Sequence, residues 1–289
     1  MTSFPCATLD AVATHWPEYL IEGSLLGIFM IAACVAVVIV QHPRSPVAGA
    51  VRCSHRRRLV IGGLMGLTAV ALIYSPWGQR SGAHMNPGTT LTYLVLGKVQ
   101  PWDAVFYIAA QFGGGFLGVW FASLMLGHLV AHGTVHYAAT LPGPHGPRAA
   151  WLAEFAIAFG LMSMVLWSTN HAATAPFTGV FAGTLVATYI AIEAPISGMS
   201  MNPARTLGSA IPARAFRGLW IYFTAPPLAM LSAAGLYVAI AGHKCVYCAK
   251  MDHSGHANCI FNCRIEQMPG RGTNLPLLTG IQEGSGARR

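Results

Sequence analysis

The sequence predicts an all-α membrane protein: six transmembrane helices plus two re-entrant half-helices, arranged as an inverted three-span repeat. Three observations carry that prediction. The 289 residues are 54% hydrophobic and 9% charged, against about 25% charged in a soluble domain, so polar surface is too scarce to cover a water-soluble globule. Apolar runs at about 19–40, 59–76, 103–126, 150–168, 173–194 and 218–241 each reach membrane length. The stretch SGAHMNPGTTL at 81–91 returns at 197–207 as SGMSMNPARTL, with seven of eleven positions identical.

The chain divides into an N-terminal segment, 1–18, a six-span domain, 19–242, and a Cys/His-containing tail, 243–289. Repeat one covers about 19–126 and repeat two about 150–242. The first 17 residues hold no Lys or Arg, and no short apolar core precedes a cleavage-like site, so the first span itself is expected to target the chain. The net charge of +8 is scattered over loops and tail, which argues against a nucleic-acid partner.

Span one carries Glu22 and span four Glu154, each early in its run. Spans three and five carry Gly114/Gly118 and Gly179/Gly183, small pairs that let helices approach closely. The two Asn-Pro copies fall between spans two and three and between spans five and six. Three crossings is an odd number, so the second unit must cross in the opposite sense and its loop must enter from the opposite face. A loop at membrane depth must satisfy its own backbone and is therefore helical where it can be. Asn is a favoured helix N-cap and Pro a favoured first helical residue, so Asn86-Pro87 and Asn202-Pro203 read as helix starts. Asn86 to Gly97 at about 1.5 Å per residue covers roughly half of a ~30 Å hydrocarbon core. Two such half-helices meet near the midplane.

A helix N-terminus carries about half a positive charge. Two meeting in low dielectric make a fixed barrier to cations. The Asn NH₂ groups can hold a passing water by its oxygen, turning its hydrogens outward and breaking the chain of hydrogen bonds along which a proton would hop.

SGAHMNP followed by SGMSMNPAR inside six spans resembles the aquaporin (major intrinsic protein) family over about residues 19–242, and is similar to its bacterial-type water-channel branch with NPG in place of the first NPA. The proton barrier just described is the one known for that family. The resemblance implies a right-handed bundle with one pore per protomer, a homotetramer, no enzymatic activity and no cofactor for the channel. It makes Asn86 and Asn202 the central pore donors, places His84 in the cytoplasmic half of the pore, and puts Arg205 at a narrow outer filter, where the first copy has Thr89. It adds Met65 (or, with a one-residue slip, Gly66), Met199 and one of Thr188, Tyr189 or Ile190, of which Thr188 is favoured. None of these is the His of strict water filters, and two Met side chains make a flexible, weakly polar wall. Thr206 and Ala210 stand where glycerol facilitators typically carry Asp and a basic residue, and Tyr222-Phe223 is an aquaporin-like pair. The expected function is a passive channel for water and other small neutral solutes that excludes protons and ions. The alternatives are a glycerol/ammonia-type facilitator, an alternating-access transporter, and a membrane sensor acting through its tail. Gly88 lacks the methyl of the usual Ala, so a looser junction with the same polarity is expected. Glu22 and Glu154 are expected to accept hydrogen bonds from the re-entrant loop backbones.

The tail reads Cys245-x₂-Cys248, ten residues, Cys259-x₃-Cys263, with His243, His253 and His256 in or beside it. Four thiolates at this spacing suit tetrahedral zinc. An iron–sulfur site, a redox pair and disulfides remain open, and residues 264–289 are expected to be disordered. The resemblance places the chain in the plasma (inner) membrane with cytoplasmic termini. The basic residues do not reinforce this: nine would lie outside and eight inside.

Overall fold

The protein is described by a computed structural model covering residues 4–255 and 259–271. Eight helices carry the architecture: α1 (Phe4–Gln41), α2 (Ser54–Tyr74), α3 (Pro87–Val95), α4 (Pro101–Leu126), α5 (Gly146–Thr169), α6 (Thr178–Ile192), α7 (Pro203–Ala213) and α8 (Leu219–Ala241). Six are long and apolar enough to span a membrane, α6 together with the turn at Ala175–Phe177 that precedes it. The short α3 and α7 are the half-helices. Proline in the first turn of α3, α4, α5 and α7 pre-sets φ where no backbone donor is needed.

Packing follows the repeat. α1 lies on α4 as α5 lies on α8, α2 pairs with α6, and each half-helix docks on the other repeat's last span: α7 on α4 and α3 on α8. Gly114 and Gly118 make the α1–α4 contact possible. A Cβ on Gly114 would sit 1.9 Å from the Gly23 carbonyl oxygen, and one on Gly118 would sit 2.3 Å from that of Gly27. The second pair serves α2 and α6, with Gly183 against the Gly66 carbonyl at 2.5 Å and Gly179 against the Tyr74 ring at 2.7 Å. Leu67, Leu117, Trp120, Leu124, Leu152 and Ile240 point outward as an apolar surface suited to lipid.

Two boundaries differ from expectation. α1 already begins at Phe4, so residues 4–18 run on without a break into the first span: the helix is tied down by Tyr19, whose hydroxyl donates to Asp103 at 2.6 Å, and by Glu18, which accepts from Arg80 Nε at 2.8 Å. Residues 264–271 follow a defined path, because Arg264 N–H donates to the Tyr247 carbonyl at 2.8 Å and Ile265–Gln267 forms a 3₁₀ turn. His256 and residues 272–289 lie outside the described residues.

Six crossings bring the end of α8 back to the side from which α1 starts. The tail packs there, beneath the loops at 79–82 and 97–100, and this side is called the tail face below.

Candidate functional site

The two re-entrant loops are built alike, residue for residue. Gly82 and Gly198 close short helical turns with φ of 93° and 86°. Beyond them Ala83 and Met85 in one loop, and Met199 and Met201 in the other, take φ between 48° and 56°. A left-handed non-glycine residue costs roughly 1–2 kcal/mol, so the surroundings must hold these loops. Glu154, fully buried, accepts from Ser200 and Met201 N–H, both at 2.7 Å, and from the Ser197 hydroxyl at 2.6 Å. Glu22 does the same for the first loop, accepting from Met85 N–H, from Ser81 Oγ at 3.0 Å and from Gln111 Nε2 at 2.9 Å. The serines are gripped a second time. Tyr107 donates to the Ser81 carbonyl at 2.7 Å, and Tyr222 donates to the Ser197 carbonyl. Glu22 and Glu154 are thus structural acceptors, as expected, and Tyr222 is a tie to the loop.

Each loop ends in an extended Asn that caps its half-helix. Asn86 Oδ1 accepts from Gly88 N–H at 2.8 Å, and Asn202 Oδ1 accepts from Ala204 and Arg205 N–H at 3.0 and 3.2 Å. The amide nitrogens then cross between the repeats. Asn86 Nδ2 donates to the Met201 carbonyl at 2.7 Å, and Asn202 Nδ2 donates to the Met85 carbonyl at 2.6 Å. These reciprocal bonds fix the two helix N-termini tip to tip. Each NH₂ has two hydrogens and spends one on this bond. The other remains for whatever occupies the space in front of it.

That space is a cavity of about 710 Å³ which both Asn side chains line. His84, Met65, Met199 and Arg205 line it too. On the side away from the tail it is walled by Gln41, Arg58 and the loop at 133–139; on the tail side it ends at Met251. Arg205 Nη1 is buried and bonds to none of the described groups, an unspent cationic donor on a residue that lines the cavity. His84 Nε2 faces the Ala249 carbonyl at 2.9 Å, which can only accept, so this nitrogen carries the hydrogen; Nδ1 then accepts from Thr90 Oγ1 at 3.1 Å.

Residues 14–237 match the major intrinsic protein family. The chain belongs to that family. Aquaporin NIP2-2 of Zea mays is 37% identical over 177 residues, which are 61% of this chain and 58% of the plant protein. The putative aquaporin NIP4-1 of Arabidopsis thaliana is 35% identical over 174 residues, 60% of this chain and 59% of that one. The chain thus spans less than two thirds of the length of these relatives. Among solved structures, the aquaglyceroporin of Plasmodium falciparum superposes with a TM-score of 0.63 at 16% identity, over 78% of this chain and 97% of that one, a likeness of fold. The chain is therefore a multi-pass membrane protein of the major intrinsic protein family, which is not an enzyme family.

Three expected site residues in this major intrinsic protein are placed elsewhere by the structure. Thr188 faces out of the bundle and returns its hydroxyl to the Thr184 carbonyl at 2.8 Å; Ile190 and Val186, on the opposite stripe of α6, line the cavity. Gly88 lies behind the passage. A Cβ there would meet Met230 Sδ at 2.8 Å, so Met230 fills the room the missing methyl leaves and the junction is closed. Cys245 sits in the turn His243–Cys245 directly after α8, its carbonyl accepting from Tyr237 at 3.1 Å, and does not join the other tail thiols. His253 takes its place: the ligand atoms of Cys248, His253, Cys259 and Cys263 all lie within 4.8 Å of one another. Gly66 is a packing residue, which leaves Met65 at the cavity. Sequence reasoning missed Met251 and Met230 because neither belongs to the repeated signature.

Proposed function

We propose that the chain is a passive pore for water and small neutral solutes, rejecting protons and ions at the point where α3 and α7 meet. The observation that carries this is the reciprocal pair of bonds from Asn86 Nδ2 to the Met201 carbonyl and from Asn202 Nδ2 to the Met85 carbonyl, which uses one hydrogen of each amide and leaves the other for the cavity that both side chains line. A water there receives two donors on its oxygen and has no acceptor on that side, so its hydrogens point away along the file in both directions. The two helix N-termini raise the potential at the same place, and the Arg205 guanidinium adds a full charge nearer the mouth.

Met65, Ile190 and Met199 line the same cavity as Arg205 and add apolar, flexible wall to it. This composition supports admission of small hydroxylated or nitrogenous neutral molecules beside water, and so a broader range than a strict water filter, while Thr206 and Ala210 favour the water-channel branch over a dedicated glycerol facilitator. The apolar outer surface and the pore contained within one chain fit a homotetramer of independent pores in the plasma (inner) membrane, with the tail face cytoplasmic. Arg57 and Arg58, which count against that sidedness, are engaged with carbonyls. Arg57 donates to Ala48 and Val51 at 2.6 and 2.7 Å, and Arg58 donates to Ala191 at 3.0 Å.

Proteoliposomes holding the full chain, assayed in buffer containing a metal chelator, test the reading by light scattering. Water, glycerol and ammonia are compared with empty vesicles. Faster flux of water together with at least one of the other two is expected. Water alone being accelerated contradicts the broad filter, and no acceleration of any contradicts the channel.

A further inference from the structure

Met251 stands between two cavities. The passage ends on it, and a second cavity of about 300 Å³, lined by Thr169, Asp252, His253 and Arg271 among others, begins on its other side. The tail holds Met251 there. Its N–H donates to the Gly82 carbonyl at 3.2 Å, the preceding Ala249 carbonyl accepts from His84, and Phe261 stacks on the His84 ring with centroids 5.3 Å apart. The mouth of the first re-entrant loop is thus covered by residues 249–251.

Potential ligands flank this cover, with Cys248 on one side and His253 on the other. Cys259 and Cys263 reach the same point from the next stretch of tail. Cys248 Sγ and Cys259 Sγ are 3.5 Å apart, and Cys263 Sγ and His253 Nε2 are 3.9 Å apart. A tetrahedral zinc with Zn–S near 2.3 Å spaces its ligand atoms about 3.8 Å from one another, whereas a disulfide needs about 2.05 Å. Three soft sulfurs and one imidazole form the closed donor set of a structural zinc site. Three thiolates around a divalent ion leave one net negative charge. Lys98, 2% exposed, supplies the opposite charge: its Nζ donates to the Tyr247 and Asn262 carbonyls at 3.5 and 3.4 Å, each next in sequence to one of the thiols.

We propose that a zinc-class divalent cation binds Cys248, His253, Cys259 and Cys263 and locks residues 249–251 across the tail-side mouth of the passage, closing it. The closing, though not the binding, rests on the channel reading above. Without the ion, four ligand atoms converging from two stretches of tail lose their common partner, and the cover is held only by its hydrogen bonds.

The test uses the full-length protein with zinc as probe. Elemental analysis after dialysis against zinc should find one ion per chain, falling to none in Cys259→Ser/Cys263→Ser. Cobalt substitution of the native chain should give the intense visible bands of a tetrahedral thiolate complex, a readout independent of any variant's folding. In proteoliposomes, water flux should rise when a chelator strips the native protein and fall when zinc returns, while Met251→Ala should conduct in both states. Absence of stoichiometric zinc, or octahedral cobalt spectra, overturns the site. Zinc bound with equal flux in the loaded and stripped states overturns the closing. If stripped protein and Met251→Ala both fail to conduct, the channel reading fails with the closing, and the metal content still decides the site.

Discussion

In the proposed pore Arg205 carries the selectivity, because its Nη1 bonds to none of the described groups. A charged hydrogen bond is worth about 1.5–3 kcal/mol; of the two arginines that line the cavity, Arg58 donates through Nε to the Ala191 carbonyl, whereas Arg205 Nη1 bonds to none of the described groups. Arg205→Ala should admit larger neutral solutes and raise cation leak, measured as glycerol flux and as sodium current across a bilayer; unchanged values for both contradict the filter role. A second residue gives a pH signature. Glu193, just beyond α6 and 5% exposed, has its carboxyl pushed up to about 8, first by burial and then by the nearby Glu154. The folded state therefore keeps a proton that the unfolded chain releases from about pH 4.5 upward. Its contribution is complete below that value and is lost as the pH rises to about 8. Between pH 5 and 8, about the span of that titration, the thermal midpoint should fall more for the native chain than for Glu193→Gln. At this scale the sequence was legible wherever the repeat marked a position: Asn86, Asn202, Arg205, Met199 and His84 all border the cavity. Thr188 went astray because α6 carries no motif to set its rotation. Two steps along a helix turn a residue by about 200°, enough to exchange Thr188 for Ile190.

Among elements, the tightest constraint is the α1–α4 seam. A Cβ 1.9 Å from the Gly23 carbonyl cannot be absorbed without parting two helices. Gly114→Ala should destabilise the protein by about 1–3 kcal/mol, whereas Gly113→Ala, one residue away with nothing within 4 Å, should be neutral or gain about 0.5–1 kcal/mol from helix propensity. Thermal unfolding of the two variants in detergent checks this, and equal midpoints would contradict the seam. The half-helices were legible because Asn-Pro is both a cap and a start signal. The closure around Gly88 was not: the sequence shows a missing methyl and gives no sign that Met230 of another span fills its place. The same limit hid His253, since a run of four cysteines suggests four thiols, and only the folded tail shows Cys245 held apart at the end of α8.

For the whole molecule, the inverted repeat explains why one short signature specifies so much. Each loop needs a buried Glu, a Ser gripped by Tyr, and an Asn that donates to a carbonyl of the opposite loop, and the chain supplies each of them twice, at Glu22 and Glu154, Tyr107 and Tyr222, Asn86 and Asn202. The tail lies outside this duplication, so its docking beneath the passage could be read only from the folded chain. The central claim is that two opposed helix tips meet in one passage and part water from protons there. The most direct measurement records water flux and proton leak together, in vesicles carrying the metal-stripped chain and a trapped pH dye. Fast water flux with proton leak no greater than in empty vesicles is the predicted result. Proton leak rising in step with water flux would contradict it.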